Sequence, residues 1–83
     1  MTLFNSRWIR RRTYAQQPQC GDYVLCRTGV SWSVNRCEAD GAFARLSEGG
    51  QRRAVAVQAV LDGARAAGTN AWQAIGATEY MLL

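Results

Sequence analysis

Between residues 31 and 35 apolar and polar positions alternate with a period of two, and between 51 and 68 the period lengthens to that of a helix. In "YVLCRTGVSWSVNRC" (23–37) β-branched and aromatic residues are dense, and Trp32 and Val34 alternate with Ser31, Ser33 and Asn35. This predicts two strands around Gly29, with one face packed and one polar. "EADG" (38–41) is a turn signal, "AFARLS" (42–47) reads as a third strand, and "EGG" (48–50) ends the sheet segment. In "QRRAVAVQAVLDGARAAG" (51–68), Val57, Val60, Leu61 and Ala64 fall at i, i+3, i+4 and i+7, one apolar stripe of a helix. Gln51, Gln58, Asp62 and Arg65 line the opposite side, and Gly68 stands where a left-handed C-terminal cap prefers glycine. Gly63 inside this helix costs about 1 kcal/mol against alanine, so it marks a close approach. "NAWQAIGATEYMLL" (70–83) reads as strand, turn and strand: "AWQAI" and "EYMLL" flank Gly76, and a helix would align Trp72, Ile75 and Leu82 only loosely.

The fold class expected from this pattern is α+β. A small antiparallel sheet in the order β-β-β-α-β-β carries one helix on one face. An 83-residue chain with 48% apolar and 19% charged residues is globular rather than disordered. At this size a domain buries roughly 60% of its unfolded surface, so the whole chain, 1–83, is expected to be one domain. "QQPQCGD" (16–22), broken by Pro18 and Gly21, divides it into a basic arm and linker (1–20) and a sheet-plus-helix body (21–83).

Charge sharpens that division. Arg7, Arg10, Arg11 and Arg12 precede any acid, while the other six arginines balance the six acids of the body. The whole net charge of +4 therefore belongs to the arm. All ten basic residues are arginine, whose planar fork suits carboxylate and phosphate alike. Arg7, Trp8, Arg10, Arg11, Arg12 and Tyr14 are the candidate partner-binding residues. Leu3, Phe4, Trp8 and Ile9, interleaved with them, suit an arm packed on its own body or on a partner. An acid-free, arginine-rich start also has the look of a mitochondrial presequence. A basic stretch with no apolar segment after it is not a secretory signal, and no apolar run approaches the roughly 18 residues of a membrane span. The expected location is the cytoplasm of a bacterial host, as a monomer or a homodimer built by pairing an exposed edge strand.

Catalytic chemistry finds little support. The sequence has no histidine, which removes Ser-His-Asp and Cys-His nucleophilic sites and any His-containing zinc site. Cys20, Cys26 and Cys37 lack the close pair of a zinc knuckle, so free thiols and no metal are expected. Glu38 and Asp40 sit together on a turn and read as solvated. "SEGGQRR" places two glycines and two arginines at a helix start, where N–H groups can receive an anion, but it lacks the Walker lysine and spacing. No enzyme activity and no cofactor are expected.

The aromatic residues allow two readings. Trp32 near Arg36, Tyr23 near Arg27 and Phe43 near Arg45 are the ingredients of a nucleic-acid sheet that stacks bases beside arginines. The simpler reading is that a helix-backed sheet needs large residues to fill its core.

The run from "GDYVLCRTGVSWSVNR" through the alanine-rich helix to "NAWQAIGATEYMLL" resembles the small sheet-plus-one-helix proteins of phages and mobile elements, among them several anti-CRISPR proteins. The resemblance covers about residues 21–83 and rests on layout and length, so it assigns no residue roles. It implies a non-enzymatic inhibitor that binds a bacterial defence effector complex of the CRISPR type and blocks it sterically. Many such inhibitors are acidic and mimic nucleic acid. The arginine-rich arm departs from that habit and points to docking on a protein subunit or competition for bound nucleic acid. The alternative is a small RNA- or DNA-binding module that uses the arm.

Overall fold

A computed structural model of the chain describes residues 17–47 and 50–83. The elements are β1 (Tyr23–Thr28), β2 (Ser31–Cys37), β3 (Phe43–Arg45), α1 (Arg53–Ala67), β4 (Ala71–Ala74) and β5 (Tyr80–Leu82). They form an α+β domain in which one five-stranded sheet, ordered β3-β2-β1-β4-β5, carries one helix. The basic arm lies outside the described residues, apart from its last four positions.

One expectation about the sheet needs correcting. β1 pairs antiparallel with β2, β2 with β3 and β4 with β5, but β1 and β4 run parallel, so the sheet is mixed. The cause is topological. β3 runs parallel to β1, and α1 carries the chain over the sheet so that β4 starts again in the same direction. Parallel neighbours require such a crossover.

The two faces of the sheet are set by the register. Leu25 pairs with Val34, and these residues meet Ala56, Val60 and Ala64 of α1 together with Ala71 in the main core. The buried line of the helix is therefore Ala56, Val60 and Ala64, with Val57 and Leu61 only flanking it. The stripe is rotated from the expected one because alanines let the helix lie close to the strands. Gly63 completes that approach: a Cβ there would stand 2.6 Å from Cε2 of Tyr23. Gly68 ends the helix in the left-handed conformation with φ 71°, and the hairpin glycine Gly29 has φ 64°.

The opposite face carries Ser33 and Asn35, as the alternation requires, yet both are buried, along with Val24, Cys37 and Trp72. The alternation alone makes this face the polar, solvated one. It is covered because the sheet curls: Phe43 on β3 and Tyr80 on β5, from the two outermost strands, meet edge to face at 5.9 Å. The polar groups beneath are satisfied locally. Asn35 Nδ2 donates to Val24 O at 3.3 Å and to Ser33 Oγ at 3.1 Å.

Asp22, just before β1, ties the ends of three strands together. Its carboxylate accepts from Gln19 N at 2.8 Å, Asn70 N at 3.1 Å and Trp72 Nε1 at 2.9 Å. Its own carbonyl accepts from Cys37 N at 2.8 Å.

The three cysteines are free thiols that differ in accessibility: Cys20 is exposed, Cys26 half-buried and Cys37 buried. Burial pushes the thiols of Cys26 and Cys37 above their ordinary range; Arg45 partly offsets this at Cys26, while Cys20, Asp22, Glu38 and Asp40 add to it at Cys37. Thiol titration with an aromatic disulfide at neutral pH should give one fast equivalent, mapped to Cys20 by mass spectrometry, and two slow ones. The raised thiols also imply a sign for alkaline pH. Below the unfolded-state value both states hold these protons and the contribution is constant. From about pH 8.5 upward the unfolded chain releases them first, and stability falls as pH rises through the folded values.

Candidate interaction face

The most distinctive surface arrangement lies where the chain climbs from the sheet onto the helix. After β3, Leu46 N donates to Val34 O, and Ser47 Oγ accepts from Val34 N. The chain then leaves the sheet and returns at Gln51, which forms a two-way bridge with Trp32: Trp32 N donates to Gln51 O at 3.1 Å and Gln51 N to Trp32 O at 3.4 Å. Gln51 is thus part of the sheet edge and not of the polar side of the helix, where the sequence pattern puts it. Gln58, Asp62 and Arg65 do form that side, with Gln58 Nε2 donating to Asp62 Oδ1 and Arg65 paired to Asp62. Because Gln51 is pinned to Trp32, α1 begins two residues later with Arg53 beside the Trp32 side chain, and Arg52 is its N-cap residue.

Two guanidiniums converge on that indole. Arg27 is the cross-strand neighbour of Trp32 and places its Cζ 5.8 Å from the ring centroid. Arg53, from the first turn of α1, places its Cζ at 5.4 Å. Each guanidinium is held by a second, neutral contact. Arg27 Nε donates to Gly29 O at 2.9 Å, and Arg53 donates to Gln73 Oε1 at 2.6 Å. Both arginines and Arg52 are exposed, and Val30 at the tip of the β1–β2 hairpin that carries Arg27 is 95% exposed. Among the described residues neither Arg27, Arg52 nor Arg53 forms an ion pair; the two ion pairs are Arg36 with Glu38 and Arg65 with Asp62.

The helix makes this cluster costlier. Its first turn holds no acid, and Arg52 at the N-cap position makes no side-chain cap. The N-terminus of a helix carries a partial positive charge, so a cation in the first turn opposes it by roughly 0.3–1 kcal/mol. Three arginines are therefore gathered where the local electrostatics disfavour them.

The expected aromatic–arginine pairs regroup. Arg36 lies opposite Tyr23 and bonds Glu38 at 3.1 Å, and the Glu38 hydrogen bond and charge raise its guanidinium pKa, with Tyr23 contributing less. Trp32 therefore belongs with Arg27 and Arg53 rather than with Arg36, and Phe43 spends its ring on Tyr80. The arm residues Arg7, Trp8, Arg10, Arg11, Arg12 and Tyr14 lie outside the described residues. The signal that leads to Arg27 and Arg53 in the sequence is "QRR" opening a helix without an acid, with a cross-strand arginine–tryptophan pair across the Gly29 hairpin.

Trp72 is buried, and Tyr23, Trp32, Phe43 and Tyr80 are each half-buried against Gly63, the two arginines or one another. The described residues contain no group of three acids, cysteines or histidines placed to hold a metal, and no helix long and apolar enough to cross a membrane. No family model matches the chain, and neither a curated protein nor a solved structure matches it.

Proposed function

We propose that this domain acts by docking non-covalently onto another protein and carries no catalytic activity or cofactor. The observation that carries this reading is the pair of guanidiniums fixed on Trp32, exposed and without an acid of their own among the described residues. Arginine and tryptophan are the side chains most enriched where binding energy concentrates in protein interfaces. The arm adds four more arginines, with no acid before Asp22 in the sequence. Set against a nucleic-acid module, the reading gains from the described aromatic rings of the body being buried or half-buried, since single-strand recognition depends on free rings for stacking. The specific form suggested by the layout is a phage or mobile-element inhibitor that sits on a bacterial defence complex of the CRISPR type and blocks it sterically in the cytoplasm.

Affinity capture from a bacterial lysate carrying such a complex tests it. A stoichiometric protein complex that survives nuclease treatment is the expected result, with loss of interference in cells expressing the domain. Binding that disappears with nuclease, and whose logarithm falls with the logarithm of salt at a slope near −0.9 per phosphate contacted, would establish the nucleic-acid reading instead. Replacing Arg10, Arg11 and Arg12 together by alanine separates the arm from the body. In the protein-docking reading this variant loses affinity for the protein target while the fold of the body, followed by circular dichroism, is unchanged.

A further inference from the structure

Resting on the protein-docking reading, we infer that the Arg27–Trp32–Arg53 face takes an acidic peptide segment of its partner, one that places carboxylates on the two guanidiniums and an apolar side chain against Val30.

Three features of the face argue for this occupant. The first is charge: Arg27, Arg52 and Arg53 stand together with no acid paired to them among the described residues, beside the positive end of α1. A carboxylate arriving there relieves repulsion among three cations and the helix end, so its binding is favoured by every group present. The second is order. Arg27 is held by Gly29 O and the indole, and Arg53 by Gln73 Oε1 and the indole, so both forks are set before a ligand arrives. Ordering a long side chain costs about 0.5–1.5 kcal/mol when it happens on binding; here the fold has already supplied it. The neutral acceptors matter, because each leaves the guanidinium's charge uncompensated and its remaining N–H groups available for a bidentate carboxylate. The third is the apolar component. Val30 is almost completely exposed at a hairpin tip on the same end of the sheet, two residues before the half-buried Trp32. A phosphate backbone has no use for that contact, whereas a peptide with an apolar residue among its acids does.

Cations at the positive end of a helix run against local electrostatics, and departures of this kind from local consistency concentrate at functional sites. Arg45, by contrast, lies on the opposite face, close enough to Cys26 to affect its thiol. The face is thus confined to one end of the helix-bearing side.

The test uses the full chain and a short synthetic peptide of aspartate and glutamate with interspersed leucine and phenylalanine. Parallel arms use the same peptide with asparagine and glutamine in place of the acids, a single-stranded oligodeoxythymidine, and inorganic phosphate. Binding is followed by NMR at the Trp32 indole N–H and the Nε–H groups of Arg27 and Arg53. The expected result is saturable shifts at these three groups with the acidic peptide alone. The Arg27→Gln/Arg53→Gln pair should weaken binding at least about tenfold. Arg65→Gln, on the outward side of the helix, should leave it unchanged. Shifts of equal size with the neutral peptide, tighter binding of the oligonucleotide or phosphate, or full affinity in the double glutamine variant each overturn the inference. A second double variant, Arg27→Lys with Arg53→Lys, guards against a folding artefact. It keeps the charge but not the planar fork, and it should bind more weakly than the native chain and more tightly than the glutamine pair. If the native chain captures a protein and the glutamine pair captures it equally well, only this assignment falls. If neither captures a protein, the docking reading falls with it.

Discussion

Asp22→Ala is expected to lower the stability of this domain by about 3 kcal/mol, a large share of the roughly 5–15 kcal/mol that holds native domains together. Asp22 is 4% exposed, and its carboxylate holds two backbone N–H groups and the Trp72 indole. These donors come from the turn before β1, the entry to β4 and β4 itself, so one side chain fixes how the parallel pair begins. Removing it leaves the buried Trp72 indole N–H and two part-buried backbone N–H groups without their acceptor, at about 1–3 kcal/mol for each group that water cannot reach. The costs do not add in full, because the turn at Gln19 can open to solvent. Asp22→Asn keeps the shape but turns an NH2 group towards donors, and should cost about 2 kcal/mol. Asp40→Asn, on the exposed turn, should stay within about 0.5 kcal/mol and serves as the control. Urea unfolding followed by tryptophan fluorescence measures all three. Should the alanine variant fail to fold, Trp72→Phe removes one donor and keeps a smaller aromatic ring, with an expected loss of about 2–3 kcal/mol from the hydrogen bond and the cavity together. If Asp22→Ala proves as stable as Asp40→Asn, the carboxylate is not the tie between these strands.

The same residue shows where sequence reasoning reaches and where it stops. Apolar periodicity, β-branched and aromatic density and the punctuating glycines locate the strands and the helix, because those signals are local. Gly29 and Gly68 stand at positive φ, where glycine is the residue free of strain, and each marks an element boundary. Strand order is different: nothing near Asp22 in the chain indicates Asn70 or Trp72, so the sequence pattern suggests an all-antiparallel sheet where β1 and β4 are in fact parallel. The helix face departs from its pattern for a related reason. Hydrophobic patterning weights Val57 and Leu61 above Ala56, whereas close packing on a sheet rewards the smaller side chain. The candidate face is legible only in pieces. Trp32 and Arg36 share a face of β2, yet at about 3.3 Å per residue they stand some 13 Å apart. Arg27 is adjacent to Trp32 through the register, and Arg53 through the Gln51 bridge. Fixing the register of the Gly29 hairpin first is enough to find the first pair; the second needs the tertiary fold.

Gly63→Val should destabilise the domain by about 2–3 kcal/mol, even though the substitution removes a glycine from the middle of a helix. On propensity alone replacing Gly63 is favourable, by up to about 1 kcal/mol for alanine and less for a β-branched side chain. The packing works against it. The space a Cβ would need is taken by the Tyr23 ring, whose Cε2, Cδ2 and Cζ lie at 2.6, 2.9 and 3.0 Å from that position. A ring half-buried between the helix and Arg36 moves only by lifting off the core or by pushing α1 away from β1. Either movement loosens the contact of Val60 and Ala64 with Leu25 and Ala71. Overpacking of this kind costs about 1–3 kcal/mol, and the two γ-carbons of valine place the change at the upper end. Gly63→Ala should fall between, its gain in propensity offsetting part of the clash. The decisive measurement is a double-mutant cycle with Tyr23→Ala, which vacates the space. If the ring is the obstacle, Gly63→Val becomes neutral or stabilising in the Tyr23→Ala background, with a coupling of at least about 2 kcal/mol. Additive losses in the cycle would mean that the helix itself, and not its approach to β1, rejects the larger side chain. The outcome also bears on the candidate face, because the depth at which α1 is seated on the sheet sets how closely Arg53 lies over Trp32. A helix lifted by Gly63→Val should weaken acidic-peptide binding through Arg53 while leaving the Arg27 side of the indole in place.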